Sequence, residues 1–380
     1  MKKQKIYWFL QQLHNIGGTE MVTVQLINEL CKHFEIHLIS LSEKVSEPIY
    51  KVDDSVTIHY LGVKKEVCQF DRYFLSDINN HHYSKAAASL FSFLHQFGTG
   101  RKKIAKMISD MTTKDDMIIF ASLELLLFAP KDRYIYEHFH YNSYLANSFT
   151  ARMIGLIARK PDYTIYLSNS TYSLLCKDKE KATYIHNPLR YEPTLNEDFH
   201  NNSLIFVGRL EHQKDPLLLL KIMKEADDLK LNYHLKIFGV GSLRPKMDKY
   251  IKKHNLKNLE IIEGCHDVKP YLLTSDLLLV TSHYEGFHLV TLEANSLSCP
   301  VLWVNCGDPT SDMVHKEHNG DIVDSRDPKV YALKLKEILE NKKQLIKWKK
   351  SSYEHSKQYK IEHVVDAWCN LFESHHERIK

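Results

Sequence analysis

The sequence lacks any cysteine arrangement suited to cross-linking or metal binding. Its seven cysteines, Cys31, Cys68, Cys176, Cys265, Cys299, Cys306 and Cys369, are an odd count scattered over 380 residues, with no CxxC pair and no short-range Cys/His set. That argues against a disulfide framework and a structural zinc site, and for reduced thiols in a cytosol. A charge excess is also missing: 51 Lys and Arg face 47 Asp and Glu, and the balance of +4 is too small to imply a nucleic-acid partner. No apolar run reaches the roughly 18 to 20 residues of a membrane-spanning helix. The basic start, Met1 to Lys5, has the look of a signal n-region, but the apolar stretch 6–10 is interrupted by Gln11 and Gln12 and reads as a first buried strand. The GxGxxG fingerprint of dinucleotide binding is absent, which weakens an NAD reading. There is no internal repeat and no low-complexity segment.

What remains is an ordinary globular composition, 43% apolar, 26% charged and 11% aromatic, in a chain whose length fits two domains. Short apolar runs alternate with amphipathic stretches throughout. Strands are expected at 6–10, 36–41, 117–120 and 164–167, with helices at 19–32, 122–128 and 170–176, the βαβ rhythm of parallel sheets. From Asn187-Pro188 to Asn201-Asn202 the chain has two prolines, four asparagines and no apolar periodicity, a linker composition. The rhythm then restarts. Strands are expected at 204–207, 235–238, 259–262, 277–281 and 301–304, and helices at 216–227, 243–254 and 287–297. Two long helical stretches follow Pro328. The fold class is therefore α/β, with two Rossmann-like doubly wound domains facing a central cleft. Ligands are expected at the carboxyl ends of the strands.

Three turns in the second half carry the chemistry. Glu285-Gly286-Phe287-His288-Leu289 follows a buried strand and opens a helix, so the N–H groups from Gly286 to Leu289 form an oxygen-binding surface. Glu293 lies about two turns further on. The plainer alternative is a helix-cap acid and a solvated glutamate. At Gly208-Arg209 through Lys214, a strand end is followed by two cations five residues apart, suited to a diphosphate by bidentate and point-charge contacts, or else a solvated basic turn. Gly239-Val240-Gly241 ends a third strand, where backbone can approach a ligand closely. Near the N-terminus, Gly17-Gly18-Thr19-Glu20 joins the first strand to the first helix, a place for a phosphate or sugar, or a plain capped turn.

In this order the motifs resemble the large group 1 family of retaining glycosyltransferases with the GT-B fold, which includes bacterial capsule, exopolysaccharide and lipopolysaccharide sugar transferases. Gly17-Gly18-Thr19-Glu20 resembles its N-terminal glycine loop, Arg209 and Lys214 its diphosphate cations, Gly239 and Gly241 its second glycine turn. Glu285 and Glu293 resemble its signature glutamate pair. Asn187-Pro188 falls at its hinge, and Gly307-Asp308-Pro309 followed by Asn319-Gly320 at its donor loop. The resemblance implies an acceptor-binding domain over 1–187, a linker over 188–202, a nucleotide-sugar domain over 203–360, and a helix over 361–380 packing back toward the first domain. It implies a UDP-sugar donor, no metal and no other cofactor; the chain has no Asp-x-Asp motif. Glu293 is implied to hold the ribose, and Glu285 with the N–H groups of residues 286–289 the sugar. The cations and helix N-termini take the charge that develops on the leaving diphosphate. A histidine beside the sugar is implied at His138, with His140 as the alternative, in Tyr134-Ile135-Tyr136-Glu137-His138-Phe139-His140. His288 stands where the family often has proline, and Cys299 where it often has glycine.

The implied acceptor is a glycan or lipid-linked saccharide in surface polysaccharide assembly. A non-catalytic GT-B partner subunit is the second reading, and the retained charges speak against it. The stretch 84–111, with Leu90, Phe91, Phe93, Leu94 and Phe97 before Arg101, Lys102, Lys103 and Lys106, is read as a domain helix of a cytoplasmic protein with its apolar face in the core, the alternative being peripheral contact with an anionic membrane at the inner face of the cell membrane.

Overall fold

A computed structural model of the chain describes residues 3–14, 17–63, 78, 81–85, 87, 99–139, 156–265, 267–306 and 312–379. They form two compact units, Met1–Pro188 with Ile361–Lys380, and Leu189–Lys360. Each is an α/β unit built on one parallel sheet.

In the first unit the strands are β1 (Lys5–Leu10), β2 (Glu35–Ser42), β3 (Thr57–Val63), β4 (Met117–Phe120), β5 (Ile135–Phe139), β6 (Tyr163–Tyr166) and β7 (Ala182–Tyr184), ordered β3-β2-β1-β4-β5-β6-β7. Side chains of β1 alternate between two cores, which is why the strand reads as one continuous apolar run. Tyr7 and Phe9 join Ile104 and Ile108 of the helix Thr99–Met111. Trp8 points the other way onto Trp368 of the helix Ile361–Ile379, with ring centroids 4.9 Å apart. The stretch 122–128, expected as an α-helix, is a 3-10 helix, Leu123–Phe128. Its four consecutive buried residues, Leu125 to Phe128, suit a tight turn pressed into the core rather than a one-faced amphipathic helix.

The second unit has β8 (Ser203–Val207), β9 (His234–Phe238), β10 (Leu259–Ile262), β11 (Leu277–Val280), β12 (Val301–Val304) and β13 (Gly320–Val323), ordered β10-β9-β8-β11-β12-β13. Alternation again supplies two cores. Leu204 and Phe206 enter one with Leu219, Met223, Ile237 and Tyr331, while Ile205 enters the other with Leu278, Val280 and Trp303. The chain starts at the centre, winds outward through β9 and β10, then returns to the other side of β8 as β11. The strand order therefore reverses between β8 and β11, and such a switch point is where open α/β sheets bind ligands at the carboxyl ends of the strands.

The polar stretch expected as a linker is strapped to the second unit. Leu189 donates to the Tyr359 carbonyl at 2.8 Å and Thr194 to that of Ser296 at 2.7 Å. Asn196 donates through Nδ2 to the Leu273 carbonyl at 2.7 Å. The Asp276 carboxylate accepts from the amides of His200 and Ser203 and pairs with Lys349 at 3.3 Å, both ions being almost fully enclosed. Asparagine and aspartate contacts anchor this segment without apolar periodicity, so composition alone gives it the appearance of a linker.

Gly239 and Gly241 have a packing reason as well as a positional one. A Cβ on Gly239, whose φ is +154°, would lie 1.9 Å from the Gly208 carbonyl oxygen, and one on Gly241 2.3 Å from that of Leu210. Gly239→Ala is expected to destabilise the second unit by about 3 kcal/mol, because the clash is with backbone that cannot rotate away. Urea unfolding of the purified variant checks this.

Candidate functional site

The site assembles where β8 and β11 end. After β8, Gly208 makes room for the stem of Lys214, which lies about 3.2 Å from where a Cβ would stand. Residues His212–Lys214 form one 3-10 turn, and Asp215, left-handed at φ 44°, caps the helix Pro216–Asp228 through the Leu218 amide. This turn aims the Lys214 ammonium across to the loop after β11, where it meets Glu285 Oε1 at 2.6 Å. The two loops are sewn together at several further points. Arg209 Nη2 donates to Gln213 Oε1 at 2.7 Å, Gln213 Nε2 to the Tyr284 carbonyl at 3.3 Å, and the His283 amide to the Gln213 carbonyl at 2.8 Å. Thr281 Oγ1 donates to the carbonyl of Lys214 at 2.9 Å.

Beneath them Arg326 donates to the carbonyls of Thr281 and Ser282 and pairs with Asp215 at 2.7 Å. His283 Nε2 stands 3.1 Å from the same carboxylate, and the His212 ring stacks on it at 4.5 Å. Arg326 had no signal in the sequence beyond its place in a turn before Pro328.

Glu285 is 5% exposed. Burial is the largest influence and works to raise its pKa, but Lys214, His288 and Ser282 together outweigh it and hold the carboxyl below its ordinary value. His288 behaves oppositely. Burial, then Lys214, push it down to about 3, so it is a neutral imidazole. Its Nδ1 lies 2.8 Å from Thr291 Oγ1, its Nε2 3.8 Å from Glu285 Oε1, and its ring meets the Trp303 edge at 5.1 Å. His288 stands at the N-cap position of the helix Leu289–Ser296, without a side-chain capping bond, in the turn whose N–H groups from Gly286 to Leu289 are expected to bind oxygen. Phe287 instead packs with Leu189, Leu292 and Tyr359.

Glu293 belongs to a second ionic group. It is buried, and burial raises its pKa to about 7 against the opposing pull of Arg190, whose Nη1 lies 3.7 Å away. The Arg190 guanidinium also covers the Tyr191 ring at 5.2 Å, and the Tyr191 hydroxyl donates to Asp267 at 2.7 Å. Arg190 escaped the sequence reading because it falls in the stretch that looked like linker. The structure thus brings together Arg209, Lys214, Glu285 and His288, and places Glu293 with Arg190.

In the first unit, the helix Gly18–Leu30 begins at Gly18, and a Cβ on Gly17 would lie 2.0 Å from the Glu20 carboxylate. His138 is 1% exposed, held edge-on between Trp8 at 5.9 Å and Trp368 at 5.2 Å. Glu137 points to the opposite face of β5. It is buried, and burial with the nearby Glu124 carboxylate raises it to about 8. His140, Gly307 to Pro309, and the apolar residues 90–97 lie outside the described residues. Arg101, Lys102, Lys103 and Lys106 are carried on the helix Thr99–Met111, whose Ile104 and Ile108 face the core. Among the described residues, no helix is long and apolar enough to cross a membrane, and no three His, Cys, Asp or Glu side chains are grouped to hold a metal ion.

Residues 191–355 match the family model described as glycosyl transferases group 1. The chain is 23% identical to the GalNAc-alpha-(1->4)-GalNAc-alpha-(1->3)-diNAcBac-PP-undecaprenol alpha-1,4-N-acetyl-D-galactosaminyltransferase of Campylobacter jejuni, over 94% of this chain and 95% of that protein. It is 24% identical to the capsular polysaccharide biosynthesis glycosyltransferase CapH of Staphylococcus aureus, over 87% and 90%. Among solved structures, Staphylococcus aureus TarM superposes with a TM-score of 0.75 over 97% of this chain and 98% of TarM, at 15% identity. Anabaena HepE, solved with UDP and glucose, does so with a TM-score of 0.70 over 98% and 100%, at 14% identity. These likenesses give the two-sheet architecture its name, the GT-B fold. The stretch that carries Lys214, Glu285 and Glu293 is the stretch that matches the glycosyl transferases group 1 family model.

Proposed function

We propose that the protein is a retaining glycosyltransferase that moves a sugar from a UDP-sugar to a glycan or lipid-linked acceptor in bacterial surface polysaccharide synthesis. The observation that carries this reading is the 2.6 Å meeting of Lys214 and Glu285 across the ends of β8 and β11, with Arg209 tied to the same turn through Gln213. Cations fixed at a strand end favour the state in which a diphosphate departs with extra negative charge, since their cost of organisation was met during folding. Glu285, kept ionised by Lys214, is an acceptor suited to sugar hydroxyls. Glu293 takes the ribose hydroxyls in this reading. The leaving phosphate accepts the proton of the incoming hydroxyl on the same face of the sugar.

Support for the donor class comes from HepE and TarM, both solved with UDP. Support for the acceptor class comes from relatives named for undecaprenol-linked saccharide and capsular polysaccharide. The positive charge at the diphosphate comes from side chains, so UDP binding is expected to persist in the presence of a chelator. His138, enclosed between two indoles, is the histidine this reading sets beside the sugar.

The test is Arg209→Ala. Loss of one charge-assisted contact is expected to weaken UDP binding by roughly 1.5 to 3 kcal/mol. Calorimetry that returned the wild-type affinity would overturn the diphosphate assignment.

A further inference from the structure

We propose that a groove in the first unit, between the edge strand β7 and the helix Ile361–Ile379, is a second saccharide site that holds a length of glycan chain. The groove has a volume of about 660 Å³. Its floor is rigid: His375 Nδ1 lies 3.0 Å from the Tyr136 hydroxyl, and its ring meets that of Tyr163 at 4.3 Å and 88°. On one wall stands Tyr184, 40% exposed. Its ring is propped by Tyr172 at 5.7 Å and His186 at 5.5 Å, so little side-chain freedom remains to be lost on binding. Around the rim are Lys179, Glu180 and Asn370, all exposed, whose side chains make no hydrogen bond or ion pair among the described residues.

An ammonium, a carboxylate and an amide beside one flat phenol ring suit a sugar. A pyranose has an apolar face of C–H groups that lies on an aromatic ring, and a rim of hydroxyls that both donate and accept. Other occupants fit less well. A phosphate would face the Glu180 carboxylate with a single lysine to hold it. An added peptide strand would find only three residues of β7, Ala182–Tyr184, preceded by Lys179-Glu180-Lys181, the short charged edge that resists strand pairing. The lining of the groove belongs wholly to the first unit and includes none of the residues assigned to the donor, so this proposal and the donor reading stand or fall separately.

The experiment is an array of linear oligosaccharides of neutral and N-acetylated hexoses, probed with the full-length chain and with Tyr184→Phe, Tyr184→Ala and Asn370→Ala, alongside UDP calorimetry on each. The wild type is expected to bind a subset of the glycans and Tyr184→Phe, which keeps the ring, to bind the same subset. Tyr184→Ala is expected to lose about tenfold in affinity, the scale of one aromatic contact, with UDP binding unchanged in every variant. Absence of any bound glycan, or glycan binding that survives both Tyr184→Ala and Asn370→Ala, overturns the proposal. Both positions are exposed, and an unchanged melting temperature separates a lost contact from a lost fold.

Discussion

Lys214→Ala is expected to destabilise the second unit by about 3 to 5 kcal/mol and to lower turnover by roughly two to three orders of magnitude. The first effect follows from burial. The Lys214 side chain is 13% exposed and that of Glu285 6%, so removing the ammonium leaves a carboxylate in a place water scarcely reaches. His288, whose Nε2 lies 3.8 Å from Glu285 Oε1, is pushed down to about 3 and as a neutral imidazole does not replace the ammonium. The second effect follows from position, since the same ammonium is assigned to the departing diphosphate. A paired substitution separates the two. Lys214→Met with Glu285→Gln removes both charges and is expected to recover most of the stability in urea unfolding while recovering no activity. If Lys214→Ala unfolded at the wild-type urea concentration, the ion pair would have no structural weight and the account of Glu285 would fail with it.

The second large effect is a pH dependence carried by Glu137. Its carboxyl is raised from an ordinary 4.5 to about 8 by burial and by Glu124, and Oε1 has no hydrogen-bond partner among the described residues. The folded protein therefore keeps a proton that the unfolded chain gives up near pH 4.5. Stability from this group is fully present below that pH, falls as pH rises toward 8, and is constant beyond. At about 1.4 kcal/mol per unit, the span amounts to on the order of 5 kcal/mol. Glu137→Gln resembles the protonated form and cannot ionise. Its stability relative to wild type is expected to rise between about pH 5 and pH 9, measured by urea unfolding at each. Taking the difference cancels other titrating groups. Among these is His288, whose lowered pKa works in the opposite direction below its ordinary value. A difference independent of pH would mean that Glu137 is solvated.

Most strands found from sequence are central and most of those missed are edges, although the edge strand β10 was found and the apolar rhythm did not single out the central strand β5. Central strands such as β1, β11 and β12 are covered on both faces, so their residues are apolar without interruption and stand out in any reading. Strands β3, β7 and β13 gave no such signal, and all three are edges of their sheets. An edge strand has one neighbour, and its composition follows that exposure: Thr57 to Val63 is only partly buried along its length, and β13 opens with Gly320-Asp321. Helix starts were clearer where proline or aspartate marks them, as at Asp215-Pro216 and Asp327-Pro328.

The residue types of the site were legible because their spacing is local. A glycine turn after a strand, two cations in one loop and two glutamates flanking a helix start are all written within a few residues of each other. Their partners were not. Lys214 and Glu285 are 71 residues apart, Arg326 reaches Asp215 across 111, and Arg190 lies outside the second unit's strand pattern altogether. Only the strand order, which sets β8 beside β11, turns those separations into contacts of about 2.6 to 2.7 Å. His138 shows the same division. The chain places it at the end of β5, but its enclosure depends on Trp368, 230 residues later, folding onto Trp8. Hydrophobic period and turn chemistry act over a few residues and so are carried by the sequence itself. Burial, ion pairing and the pKa values they produce depend on which distant segments the sheet makes neighbours, and those only the tertiary structure decides.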